Sequence, residues 1–238
     1  MLPYVAEFIG TAMLVLIGNA GMANISLEKS SMKGSGALHI SIGWGLAVLL
    51  PAYIFGKASG GFLNPAVTLA FAAGGQLSWQ VVPGYIIAEL LGAILGAILV
   101  YVLFADHFNV TQNTTIVRSC FCTVPSIRNL PRNFLNELIG TFILVFSVLG
   151  IANVVGASAT GVNNLYVCGI ITVIVMCFGG LSGTAINPAR DLGPRIAYIL
   201  MPLKYKENPD WQYCLFVPIL GPFIGGLLAV FLFKIIPW

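Results

Sequence analysis

The sequence predicts an all-α membrane protein: six spanning helices plus two half-spanning, re-entrant helices, arranged as an inverted repeat. Three observations carry this prediction. Only 8% of the 238 residues are charged while 58% are hydrophobic, against about a quarter charged in an ordinary soluble domain. Charges that sparse cannot cover the exterior, so much of it must face lipid tails. Apolar stretches of spanning length occur six times, and two shorter helix-compatible stretches lie between them. The two halves of the chain also share local motifs.

The six spans are read at residues 4–26, 37–56, 81–104, 134–154, 164–182 and 213–236. At about 20 residues each they use roughly 120, so six crossings fit and twelve do not. The first apolar run carries Glu7, lacks a preceding basic segment and is too long for a cleaved leader, so it is expected to remain as a span. The stretches beginning at Asn64 and Asn187 are about ten residues long, too short to cross alone. The connection 105–133 carries Asp106, His107, Arg118, Arg128 and Arg132 and is expected to be an aqueous loop, although it also holds Phe121 and Val124.

Internal repetition relates the halves. Glu7-Phe8-Ile9-Gly10-Thr11 recurs as Glu137-Leu138-Ile139-Gly140-Thr141, and Asn64-Pro65-Ala66 as Asn187-Pro188-Ala189. Each half holds three spans and one short helix, and an odd number of crossings turns the second copy upside down. The chain therefore reads as one membrane domain, 1–238, with repeats 1–104 and 134–238 joined by 105–133, an architecture of transporters and channels.

Asn is a strong N-cap, and Pro at the first helical position lacks only a hydrogen that would go unpaired, so both short helices are expected to begin at their Asn. Inversion then points the two N-termini at each other near the midplane, positive dipole ends facing. With each Asn oxygen occupied in capping, its NH₂ is expected to be a donor aimed into the space between. The irregular residues Gly60, Gly61, Phe62 and Gly183, Thr184, Ala185 cannot leave carbonyls unpaired in hydrocarbon, so they are expected to line a wet passage. Such a passage favours neutral solutes: cations meet a positive centre, and anions must shed hydration in a narrow tube.

Other classes find little support. The eleven basic residues are scattered singly, which disfavours nucleic acid as a partner. Cys120, Cys122, Cys168, Cys177 and Cys214 show no zinc-type spacing and are read as structural, with Cys120 and Cys122 in a loop. No nucleophile, metal cluster or phosphate loop suggests an enzyme, and no cofactor is implied.

The paired Asn-Pro-Ala boxes, the Ala6-Glu7-Phe8-Ile9-Gly10-Thr11 opening and the segment from Asn187 to Arg195 resemble the major intrinsic protein family, the aquaporins and glycerol facilitators, over nearly the whole chain. The resemblance implies a homotetramer in the plasma membrane, one pore per subunit, with both termini cytoplasmic. Arg190 stands where a helix dipole opposes a cation, and its counterpart in the first half is Val67. By resemblance it is the arginine of the outer constriction, with Trp44, Val175 and Thr184 completing it. Trp44 would offer an apolar face to carbon backbones; its alternative reading is an interfacial belt tryptophan. Asp191 directly after the arginine, Arg195, and Pro218-Ile219 are further polyol-type markers, and Asp191 and Arg195 form a favourable helical pair expected to give structural support.

Three positions depart from the glycerol-facilitator pattern: Thr184 replaces an aromatic, Val175 a glycine and Phe62 a histidine. The rebuilt constriction is expected to admit glycerol, dihydroxyacetone, water and uncharged short hydroxy acids such as lactic acid; the residues do not rank these against urea or peroxide. The resemblance also implies that Glu7 and Glu137 receive backbone N–H groups from the loops leading into the short helices. Glu89 has no counterpart acid in the second half, where Pro222 takes its place, and its role stays open, as does that of His39. The pairs Gly92/Gly96, Gly179/Gly183 and Gly221/Gly225 are expected to let helices approach closely.

Charge bias and resemblance disagree on orientation. Lys29, Lys33, Arg118, Arg128, Arg132, Lys204 and Lys206 share one side, which the positive-inside rule assigns to the cytoplasm; the resemblance assigns it to the outside and is preferred as more specific. An ion-coupled secondary transporter with Glu89 as proton site is the alternative, and a non-transporting membrane adaptor a second one.

Overall fold

The protein is described from a computed structural model covering residues 1–237. In chain order the elements are α1 (Leu2–Ser26), α2 (Gly36–Ser59), α3 (Pro65–Gly74), α4 (Val82–Val110), α5 (Thr114–Ser119), α6 (Leu130–Ala152), α7 (Ala157–Thr160), α8 (Val162–Ser182), α9 (Pro188–Leu200), α10 (Trp211–Cys214) and α11 (Gly221–Ile235). A π-helical turn, Leu215–Leu220, contains Pro218 and joins α10 to α11, so that Trp211–Ile235 runs as one span. Among the described residues, six helices are long and apolar enough to cross a membrane: α1, α2, α4, α6, α8 and this last span.

Local chemistry sets several ends. Gly60 closes α2 at φ 98° and Gly183 closes α8 at φ 90°, left-handed conformations that a side chain resists. Each releases the chain into the irregular run ahead of a short helix. Gly75 ends α3 in the same way.

Lipid supplies no hydrophobic drive between spans, so close packing of small residues holds them together. A Cβ at Gly92 of α4 would lie 2.1 Å from the Phe8 carbonyl oxygen of α1, and one at Gly225 of α11 would lie 2.2 Å from that of Leu138 of α6. Each short helix packs on a span of the opposite half: a Cβ at Gly193 of α9 would meet Ala93 of α4, and one at Gly226 of α11 would meet Ala66 and Ala70 of α3. The expected Gly179/Gly183 packing pair is corrected. A Cβ at Gly179 would meet only Val175 and Thr184 at ordinary contact distance, and one at Gly183 would strike Thr123.

The reading of 105–133 as an aqueous loop also needs correction. α4 continues to Val110, α5 follows with Asn113 as its cap, and Cys120, Phe121, Cys122 and Thr123 are buried. The Phe121 ring packs 5.3 Å from that of Phe108 and 5.6 Å from that of Tyr198. Its carbonyl accepts a hydrogen bond from Asn19 Nδ2 at 3.0 Å. Within the connection, residues 126–129 form an exposed run, and Asp106, Asn109, Gln112, Asn113 and Arg132 are exposed as well.

Candidate functional site

Both short helices begin at their asparagines. Asn64 Oδ1 accepts from the Ala66 N–H at 3.0 Å, and Asn187 Oδ1 accepts from Ala189 and Arg190 N–H at 3.0 and 3.1 Å. Asn64 Nδ2 donates to the Ile186 carbonyl, and Asn187 Nδ2 donates to the Leu63 carbonyl, both at 2.8 Å. The two caps are thus bolted across the centre by reciprocal bonds. The sequence expectation is an NH₂ donor aimed into the space between; one amide hydrogen of each Asn is committed to the opposite loop, and the second remains for the space beside it.

The acceptor carbonyls belong to strained residues. Leu63 has φ 53° and Ile186 φ 43°, left-handed values that are rare for bulky side chains and cost about 1–3 kcal/mol each. A buried carboxylate holds each in place. Leu63 N–H donates to Glu7 Oε2 at 2.7 Å, with Phe62 N–H and Ser59 Oγ–H on Oε1 at 3.1 and 2.5 Å. The second half repeats the arrangement: Ile186 N–H donates to Glu137 Oε2 at 2.7 Å, with Ala185 N–H and Ser182 Oγ–H on Oε1 at 2.9 and 2.5 Å. Tyr85 and Tyr213 hydroxyls complete the match by donating to the carbonyls of Ser59 and Ser182.

Beside the asparagines lies a cavity of about 370 Å³. Asn64, Asn187, Gly60, Gly61, Phe62, Thr184 and Ala185 line it, with Leu14, Val48, Leu144 and Ile171 among its apolar walls. Trp44 and Arg190 also line it, as do the polar residues Gln76, Ser158, Asn163 and Asn164. Gly183 is not among the lining residues; it turns the chain against Thr123 instead. Val175 is half-buried and outside this cavity, one helical turn beyond the lining residue Ile171 on the same face of α8.

The Arg190 guanidinium carbon stands 4.2 Å over the centre of the Trp44 ring, within cation–π range. Both residues are buried, at 7% exposure each, which removes the belt reading of Trp44. Arg190 Nη1 and Thr184 Oγ1 are buried and meet no protein partner. Behind Arg190, Asp191 Oδ1 pairs with Arg195 Nη2 at 2.8 Å, and Asp191 Oδ2 accepts from the N–H and the hydroxyl of Thr123 at 2.7 and 2.5 Å. Arg195 also donates to the carbonyls of Thr123 and Pro209. The connection that looked merely aqueous therefore clamps the base of α9.

The Major intrinsic protein family profile matches residues 2–233. The chain belongs to the major intrinsic protein family. Members of this family are channels and not enzymes, and the chain is a multi-pass membrane protein. It is 45% identical to a probable glycerol uptake facilitator protein of Thermotoga maritima, over 97% of each chain. It is 36% identical to a D/L-lactic acid transporter of Lactiplantibacillus plantarum, over 94% of this chain and 93% of the other. The X-ray structure of the aquaglyceroporin from Plasmodium falciparum superposes with a TM-score of 0.81 at 29% identity, covering 98% of this chain and 95% of that one.

Within this major intrinsic protein, Glu89 faces α3 rather than the cavity. It is fully buried, and its Oε1 accepts from Asn64 N–H at 3.1 Å and from Thr68 Oγ–H at 2.7 Å. Sequence reasoning missed Thr68, Thr123, Tyr85 and Tyr213. The tyrosines carried a signal, since they follow the ends of their short helices by similar intervals, 11 and 13 residues; Thr123 carried none. His39 lies at the exposed start of α2 with Nδ1 on Ser35 Oγ at 2.8 Å, away from the cavity.

Proposed function

We propose that this channel passes glycerol and related small neutral polyols, together with water, and excludes ions and protons. The observation that carries the reading is the pairing of two unsatisfied polar atoms, Arg190 Nη1 and Thr184 Oγ1, with the apolar Trp44 face in one wall of the cavity. A polyol is amphipathic in the same sense: its hydroxyls satisfy the guanidinium and the threonine while its carbon edge lies on the indole. Past that point the carbonyls of Gly60, Gly61, Phe62, Thr184 and Ala185 replace solvent as acceptors, and the remaining amide hydrogens of Asn64 and Asn187 donate at the middle. The facing N-termini of α3 and α9 and the Arg190 charge repel cations. Anions lose hydration against the apolar walls without enough donors to replace it.

In the same reading Thr184 sets the width of the cavity where an aromatic would narrow it, with Val175 one turn beyond the lined part, leaving room for dihydroxyacetone, urea, peroxide or uncharged lactic acid. Glu7, Glu137, Asp191 and Arg195 are scaffold. The repeats 1–104 and 134–238 form one inverted pair joined by 105–133. The protein is a homotetramer of the cell membrane with both termini cytoplasmic, so a protease supplied from outside cuts at exposed residues 126–129.

The test is stopped-flow light scattering of proteoliposomes. Glycerol influx is expected to rise linearly with gradient and to ignore an uncoupler. Vesicles that swell with water but exclude glycerol overturn the polyol reading, and saturable, uncoupler-sensitive uptake overturns the channel mechanism in favour of a transporter.

A further inference from the structure

We infer that Gly18, on the first span, is a positioning residue that sets the largest solute the channel admits, by giving the Trp44 indole a seat in the helix surface. The inference rests on the reading of Trp44 as a wall of the solute path. Gly18 is buried on α1, one turn beyond the cavity-lining Leu14 and on the same face. A Cβ built on it would lie 2.2 Å from Trp44 Cζ3 and 2.4 Å from both Cε3 and Cη2. Three atoms of one rigid ring are struck at once, so bending a flexible side-chain end cannot relieve the overlap. Carbon atoms in contact prefer about 3.5–4.0 Å, which requires the ring to shift by roughly an ångström.

The neighbouring groups leave the ring little choice of direction. Gly45, the residue after Trp44, brings α2 against α8 so tightly that a Cβ there would lie 2.2 Å from Thr172 Oγ1 and 2.8 Å from the Cys168 carbonyl oxygen. The α2 backbone at Trp44 is therefore fixed. Arg190 stands 4.2 Å over the ring. Gly18 and the Arg190 guanidinium both pack on the indole, so the space at position 18 sets where the ring stands relative to Arg190. A methyl group at position 18 displaces the indole and so moves one wall of the cavity. Glycerol has to pass that wall with its carbon edge on the ring; water, a single small molecule, does not.

The experiment compares wild type, Gly18→Ala, Trp44→Phe and the double variant in proteoliposomes, with water, urea and glycerol as solutes of increasing size. The readout is the permeability of the largest solute that wild type admits, divided by that of water. Gly18→Ala is expected to lower this ratio at least tenfold, and adding Trp44→Phe to bring it back to within about threefold of the Trp44→Phe single variant. An unchanged ratio in Gly18→Ala overturns the inference, as does an equal loss of water and solute flux that the double variant does not relieve. If Gly18→Ala alone cannot be recovered as monodisperse protein, recovery of the double variant supports the seat, and failure of both overturns it. Glycerol exclusion by wild type is a different result: it removes the polyol reading, while the Gly18 effect is then scored on urea.

Discussion

Residues 67 and 190 stand three places after Asn64 and Asn187, and both line the same cavity, yet one is valine and the other arginine. Everything that holds the two short helices is nearly duplicated around them: the carboxylates of Glu7 and Glu137, the serines at 59 and 182, the tyrosines at 85 and 213, and the reciprocal asparagine bonds. What differs is the backing. In the first half Thr68 and Asn64 lean on Glu89. In the second half Asp191, at the place of Thr68, is locked to Arg195 and Thr123. The difference teaches that the shared contacts build a frame, while the charged donor of the proposed filter, Arg190, stands only in the half whose backing carries compensated charge.

The comparison breaks hardest at the buttresses. Replacing a carboxylate oxygen by an NH₂ sets it against a backbone N–H. Glu137→Gln is expected to destabilise by roughly 2–3 kcal/mol, lowering the melting temperature in detergent by about 5–10 °C. Glu7→Gln should cost less, because the buried Glu89 carboxyl interacts with residue 7 and its Oε2 has no hydrogen-bond partner, so it is available to accept from the new amide. Equal losses in thermal melts of the two variants would show that Glu89 gives the first half no reserve.

Arg190→Val, which copies the first half into the second, sharpens the same contrast. Losing a charge-assisted bond worth about 1.5–3 kcal/mol is expected to cut the discrimination between glycerol and less polar solutes of similar size by at least tenfold in stopped-flow assays, with folding retained. A variant with unchanged discrimination would move the filter elsewhere.

The smallest effect lies at the exposed rim of the second half. Arg128 Nε and Nη2 donate to Asp210 at 2.9 and 3.0 Å, and this pairing holds the Asp210 carboxyl below its ordinary range. A depressed folded value adds stability that is present above the ordinary value and is lost as pH falls through the folded one. Acidifying from about pH 5 to about pH 3 should therefore lower the wild-type melting temperature more than that of Asp210→Asn. The difference should not exceed about 3 °C, because Arg128 is half exposed.

Much of the frame was legible along the chain because its signals are local. Asn followed by Pro marks a helix start wherever it falls, a buried glutamate on an apolar helix demands donors, and two copies of both imply two related halves. The residues that escaped notice make their contacts at long range. Thr123 reaches Asp191 across 68 residues, and no periodicity announces it. Phe121 looked like a misfit in a polar connection until Phe108 and Tyr198 enclosed it. Gly183 was assigned to the passage by analogy with Gly60, but the Thr123 side chain occupies the space on its flank.

By itself the amino-acid order determined the six crossings, the two short helices, their capping asparagines and the need of two buried acids for donors, since hydropathy, capping and the cost of an unpaired charge act within a few residues of the chain. Only the tertiary structure decided that each asparagine amide is tied to the opposite loop, that Glu89 serves α3 instead of the cavity, and that the Trp44 ring packs against both Gly18 and Arg190. Those outcomes depend on angles and gaps of an ångström or two between helices far apart in sequence, which no local preference encodes.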